Sequence, residues 1–123
     1  SVHAAGWAGL DGVLQDVMED VGRHNALDKL IGQRARAGLL AEPGFVVLSS
    51  RASHELVGKC ARAGWVGLAT ISAPTALGVR AAQLCGLRLW GMCRSPKAIL
   101  YAEGGAAQLR ESRAATLSPS LTV

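Results

Sequence analysis

The chain has 123 residues, half of them hydrophobic, and its 13 Lys and Arg against 9 Asp and Glu give a formal charge of +4. Such a chain is expected to fold as one domain with its own core, not to stay disordered. No apolar run approaches the roughly 20 residues needed to cross a bilayer, and Cys60, Cys85 and Cys93 lack C-x-x-C spacing, so a soluble, cytoplasmic protein without a disulfide framework is expected.

In chain order, "VHAAGWAGLDGVLQDVMED" reads as two strands around Leu10-Asp11-Gly12, since Asp-Gly between apolar runs favours a hairpin. A helix follows over about 22–37 and stops near Gly38. Pro43-Gly44 marks a turn, and "FVVLSS" (45–50) is a buried strand. Ser53 caps a helix running to about 63, with Gly64 after it. "WVGLATIS" (65–72) is another buried strand. Pro74 and Thr75 open a helix to about Leu84, with Gly86 beyond its end. "LRLWGMC" (87–93) and "AILYAE" (98–103) are two more strands around Arg94-Ser95-Pro96-Lys97. Residues 104–123 read as a peripheral tail with one weak helix at about 105–115, so the folded domain is expected over 1–103. The start at Ser1, directly in a strand-like segment, reads as a piece of something longer.

The order β-β-α-β-α-β-α-β-β predicts a mixed sheet, with the strands joined by helical crossovers lying parallel. Ligands of such sheets bind beyond the carboxyl ends of the strands, where the crossover helices begin. Three polar clusters fall there. In "EDVGRHNALD", Asp20 is a candidate N-cap, while Arg23, His24 and Asn25 crowd the helix start and His24 can reach Asp28 one turn on. In "LSSRASHE", Ser49, Ser50 and Arg51 precede a helix N-terminus whose free N–H groups suit an anion. In "ISAPTALG", Ser72 stands just before the third such turn. Capping and surface charge explain each cluster taken singly; their recurrence at neighbouring crossovers favours a ligand edge. Cys93 stands beside Arg94, a neighbour that favours thiolate, whereas Cys60 and Cys85 read as buried and inert. The basic residues are too dispersed for a nucleic-acid stripe, and no His or Cys spacing matches a metal site.

"EDVGRHNALDKLIG", "LSSRASHELVGKCARAG", "ISAPTALGVRAAQLCGLRLWGMCR" and the closing "ILY" follow one another as in the formate dehydrogenase accessory sulfurtransferase family (FdhD), which the chain resembles over residues 2–102. The resemblance implies a three-layer α/β/α, cytidine-deaminase-like fold and a homodimer. It also implies binding of a molybdenum (or tungsten) bis-guanine dinucleotide cofactor, for which GDP is a surrogate. Sulfur would come from a cysteine desulfurase, and the sulfurated cofactor would go to formate dehydrogenase. The cofactor-contacting element falls on Met92, Cys93, Arg94, Ser95, Pro96 and Lys97. The family commonly has Gly and Arg where Ser95, Pro96 and Lys97 stand, and Pro96 removes an N–H there. The family's persulfide C-x-x-C has no counterpart in these residues, so the expected role is cofactor binding without sulfur transfer. The alternative is a docking or dimerisation module. A zinc deaminase would need H-x-E and P-C-x-x-C, and neither occurs.

Overall fold

A computed structural model describes residues 2–93 and 98–105. The elements are β1 (His3–Ala8), β2 (Leu14–Asp20), α1 (Arg23–Arg36), β3 (Phe45–Leu48), α2 (His54–Arg62), β4 (Gly67–Thr70), α3 (Ala76–Cys85), β5 (Arg88–Gly91) and β6 (Ile99–Glu103). They follow the order read from the sequence. The expectations for Arg94, Ser95, Pro96, Lys97 and the helix at 105–115 lie outside the described residues, apart from Gly105 itself.

All six strands form one mixed sheet in the order β2-β1-β3-β4-β5-β6. The β1–β2 hairpin is antiparallel, turning where Gly12 takes φ 81°, as an Asp-Gly turn allows. β1 also pairs antiparallel with β3, whereas β3–β4 and β4–β5 are parallel and β5–β6 is antiparallel.

The expected three-layer arrangement is corrected. Leu27 and Leu30 of α1, Leu56, Val57 and Cys60 of α2, and Ala82 of α3 pack in one core with Trp7, Val46, Leu48, Leu68 and Leu89 of the sheet. The alternate strand residues Phe45, Val47, Ala69 and Trp90 face the other way and cluster with Cys93 and Ala98. Among the described residues, then, all three helices lie on one face and the fold has two layers. Topology dictates this. The connections β2→β3, β3→β4 and β4→β5 all step the same way across the sheet, and right-handed crossovers that step the same way fall on the same side.

Each helix begins and ends for a local reason. Ser53 and Thr75 accept the N–H groups of Leu56 (3.3 Å) and Gly78 (2.9 Å), capping α2 and α3. Gly86, at φ 72°, closes α3 in the left-handed region. α1 differs: its N-cap is Gly22, with no side chain on its free N–H groups. Asp20, the expected cap, instead accepts from Gly22 N–H (2.9 Å) and Asn25 Nδ2 (3.4 Å), and Lys29 Nζ sits 2.7 Å from its other oxygen. The Lys29 bond, then the Gly22 N–H, hold its carboxyl at about 2, below the ordinary carboxylate range.

Candidate functional site

The carboxyl ends of β3 and β4 meet the starts of all three helices at a cleft of about 440 Å³. Its walls are His3, Arg23, Ser49, Ser50, Arg51, Ser53, Ser72 and Thr75. Five of the residues singled out in the sequence, Arg23, Ser49, Ser50, Arg51 and Ser72, are therefore brought together. His3 joins them because β1 runs antiparallel to β3, which sets the beginning of β1 beside the end of β3. There Ala4 N–H donates to Ser49 Oγ at 2.8 Å, and Ser49 N–H donates to the Ala4 carbonyl at 3.0 Å. His3 carries no local signal of this role in the sequence, because only the pairing of β1 with β3 brings it to the cleft. Ser53 and Thr75 were visible only as caps.

The two arginines of the cleft do different work. Arg51 donates from Nε to the Ala73 carbonyl and from Nη2 to the Pro74 carbonyl, both at 3.1 Å. It fastens the approach to α3 onto the approach to α2. Thr75 strengthens the same junction, donating from N–H (3.2 Å) and Oγ1 (3.4 Å) to the Ala52 carbonyl. Gly78 seals it, since a Cβ there would overlap the Ala52 oxygen. Arg23 is exposed and stands at the uncapped start of α1, its guanidinium uncommitted among the described residues.

The hydroxyls can be counted in the same way. Ser50 Oγ donates to the Arg51 carbonyl at 3.3 Å, and Thr75 Oγ1 is engaged twice. Ser49 and Ser53 use their oxygens only as acceptors, which leaves their hydrogens for a ligand. Ser72 makes no side-chain hydrogen bond among the described residues, although its carbonyl accepts from Thr70 Oγ1 (2.6 Å) and Met92 N–H (3.2 Å). No described lining residue is acidic. The cleft is a surface of donors and suits a multiply charged oxyanion.

Other expected site residues stand elsewhere. His24 turns toward α2, its Nε2 3.9 Å from Glu55 Oε1, not toward Asp28, which pairs with Lys59 of α2 at 2.9 Å. Asn25 supports Asp20 at the rim. Met92 and Cys93 leave β5 beside the cleft, tied by Met92 N–H to Ser72 and by Cys93 N–H to the Thr70 carbonyl at 3.1 Å. Arg94, Ser95, Pro96 and Lys97 follow outside the described residues.

The thiols correct two expectations. Burial pushes the Cys93 thiol up, not down, because desolvation disfavours thiolate. Cys85 is exposed at the end of α3, not packed, while Cys60 is buried and pushed up to about 12. Alkylation of the native chain at neutral pH is therefore expected to label Cys85 first and leave Cys60 untouched until denaturation. Mass mapping of the adducts checks this, and rapid labelling of Cys60 in the folded state would refute it.

A mixed six-stranded sheet with three helices and a donor-lined cleft at the carboxyl ends of its parallel strands defines an α/β domain with a candidate anion site. The sequence pattern of the FdhD/NarQ family matches residues 1–107, and the chain belongs to that family. It is 50% identical over 110 residues to the sulfur carrier protein FdhD of Bordetella petrii, covering 89% of this chain and 40% of that protein. It is 54% identical over 101 residues to the protein of the same description from Xanthomonas campestris pv. campestris, covering 82% and 36%. The chain thus spans about two-fifths of the length of these curated relatives. A crystal structure of a protein from Desulfotalea psychrophila, assigned as a formate dehydrogenase accessory protein, superposes with a TM-score of 0.74 at 30% identity, covering 88% of this chain and 45% of that one. Among the described residues, no helix is long and apolar enough to cross a membrane.

Proposed function

We propose that this chain is the cofactor-holding part of an FdhD-type sulfur carrier acting in formate dehydrogenase maturation. In this reading, the cleft takes the phosphates of a molybdenum or tungsten bis-guanine dinucleotide cofactor. The observation that carries it is the donor-only lining: Arg23, the free hydroxyl hydrogens of Ser49, Ser53 and Ser72, and the uncapped start of α1 all face one space. Such a lining fits a diphosphate and offers no ligand set for the metal itself, so the metal chemistry belongs to the cofactor. This chain's residues bind and orient it. The unused hydroxyls donate to phosphate oxygens, Arg23 supplies the mobile charge, and Arg51 keeps the α2 and α3 starts in register.

Sulfur transfer needs an accessible, activated thiol. Cys60 and Cys93 are buried, and Cys85, though exposed, stands on the regular helix α3 with no C-x-x-C partner, so in this reading none of the three carries the persulfide. The cytidine-deaminase-like relationship, the homodimer, the cytoplasmic location and the docking of a cysteine desulfurase and formate dehydrogenase belong to the same proposal. They are supported by family membership.

Calorimetric titration with GDP, with ADP as control, tests the reading. Saturable binding that prefers GDP is expected. Arg23→Ala should weaken it about 10–100-fold, the worth of one charged hydrogen bond, without moving the melting temperature. Arg51→Ala should lower affinity and melting temperature together. A folded protein that ignores both nucleotides would move the docking-module alternative ahead.

A further inference from the structure

Among the described walls of the anion cleft, His3 is the one side chain of a type that changes charge between about pH 5 and 8. Strand alternation aims it there. Side chains two apart on a strand share a face, and Ala5 and Trp7 of β1 lie in the core on the helix side of the sheet. His3 therefore points to that same side, and the paired backbone bonds between Ala4 and Ser49 hold it beside the end of β3. Its imidazole is half-buried and makes no hydrogen bond among the described residues.

The groups around His3 set the field that an entering anion would meet. Arg23, at the start of α1, is a permanent cation, whereas Arg51, ahead of α2, is committed to carbonyls. Asp20 stands opposite His3 in the β1–β2 register and, with its carboxyl at about 2, stays ionised. Lys29 Nζ, 2.7 Å away, offsets that charge. His24 of α1 faces Glu55 of α2, and His54 is exposed at the first residue of α2; neither lines the cleft. We propose that His3 is a proton-linked anion ligand: once protonated it becomes a second uncommitted cation beside Arg23 and donates to the bound oxyanion. This rests on the anion-binding reading of the cleft and adds to it a coupling between occupancy and proton uptake. The sign follows from linkage. The occupied cleft binds more protons than the empty one, so affinity rises as pH falls.

The test is calorimetric titration of the intact chain at about pH 5.5 and 7.5. The probes are two anions whose charge is fixed over that range: sulfate, and diguanosine diphosphate, a diester joined through its phosphates. Each titration is repeated in buffers of different ionisation heat, which counts the protons taken up. Both anions are expected to bind about tenfold more tightly at the lower pH, with proton uptake. His3→Gln, which cannot take the proton, should abolish the uptake and flatten the pH profile, while His24→Gln should keep both. Binding that ignores pH, uptake that survives in His3→Gln, or a folded chain that binds neither anion would overturn the proposal. His3-dependent uptake with sulfate, together with no binding of the dinucleotide, would uphold it and remove the cofactor reading instead.

Discussion

Replacing Asp16 with alanine is expected to cost this domain about 3–5 kcal/mol, more than replacing its partner Arg34 with methionine. The asymmetry follows from burial. Arg34 is fully buried, whereas the Asp16 side chain keeps 27% of its exposure. When Asp16 goes, the guanidinium stays charged, because arginine does not deprotonate in proteins. It is then left with one longer bond to the Leu39 carbonyl (3.3 Å) and the Trp7 ring. When Arg34 goes, the Asp16 carboxylate can turn to water, and methionine refills part of the space. The double variant should be no less stable than Asp16→Ala alone, because removing Arg34 removes the stranded charge. Urea unfolding of the three variants decides the matter. A larger loss in Arg34→Met than in Asp16→Ala would mean that packing against Trp7, not charge compensation, dominates. The loss expected for Asp16→Ala lowers the melting temperature by more than ~10 °C in a domain of this size.

Gly78→Ala is the second large effect, of about 2–3 kcal/mol, the upper range for overpacking. The methyl has no room beside the Ala52 oxygen, which already accepts from Thr75. The obstacle is backbone, so no rotamer relieves it, and α3 must move away from the loop that leads into α2. Loss of GDP binding should accompany loss of stability, since the cleft depends on these two helix starts keeping their spacing. Gly32→Ala makes the informative control. It lies within α1, and the nearest obstacle to a Cβ is the flexible end of Arg36 at 3.1 Å. That change should stabilise by roughly 0.5–1 kcal/mol through helix propensity. Thermal melts and calorimetry of the pair check both signs. A Gly78→Ala protein with unchanged stability and binding would show that the junction yields without cost.

Much of the fold was legible because its signals are local. Ser53, Thr75 and Gly86 mark their helix ends by side-chain chemistry or backbone freedom that neighbours in sequence reveal, and Asp11-Gly12 turns the first hairpin in the same way. The layer count was not legible, because it depends on strand order, which arises from pairing between distant segments such as β1 and β3. The site divides along the same line. That polar clusters gather at crossover starts follows from the element order. Which arginine is free does not: Arg51 is committed to carbonyls 22 and 23 residues away. Nothing near Arg34 in the sequence signals its burial, because its partner Asp16 stands 18 residues upstream. Cys93 similarly reads by its neighbour Arg94, while burial decides its thiol chemistry.

The common direction of the three crossovers also fixes the shape of what the cleft can hold. In a sheet whose crossovers diverge, a ligand drops into a notch between helices on opposite faces. Here the helix starts stand side by side over one face of the sheet, above strands spaced about 4.8 Å apart. Three of them make a ledge roughly 20 Å long, open along its length. A ledge measures molecules by their extent: a compact anion such as sulfate meets one post, while an elongated one laid across several posts is gripped at intervals. Affinity should therefore climb with the span of the ligand as much as with its charge.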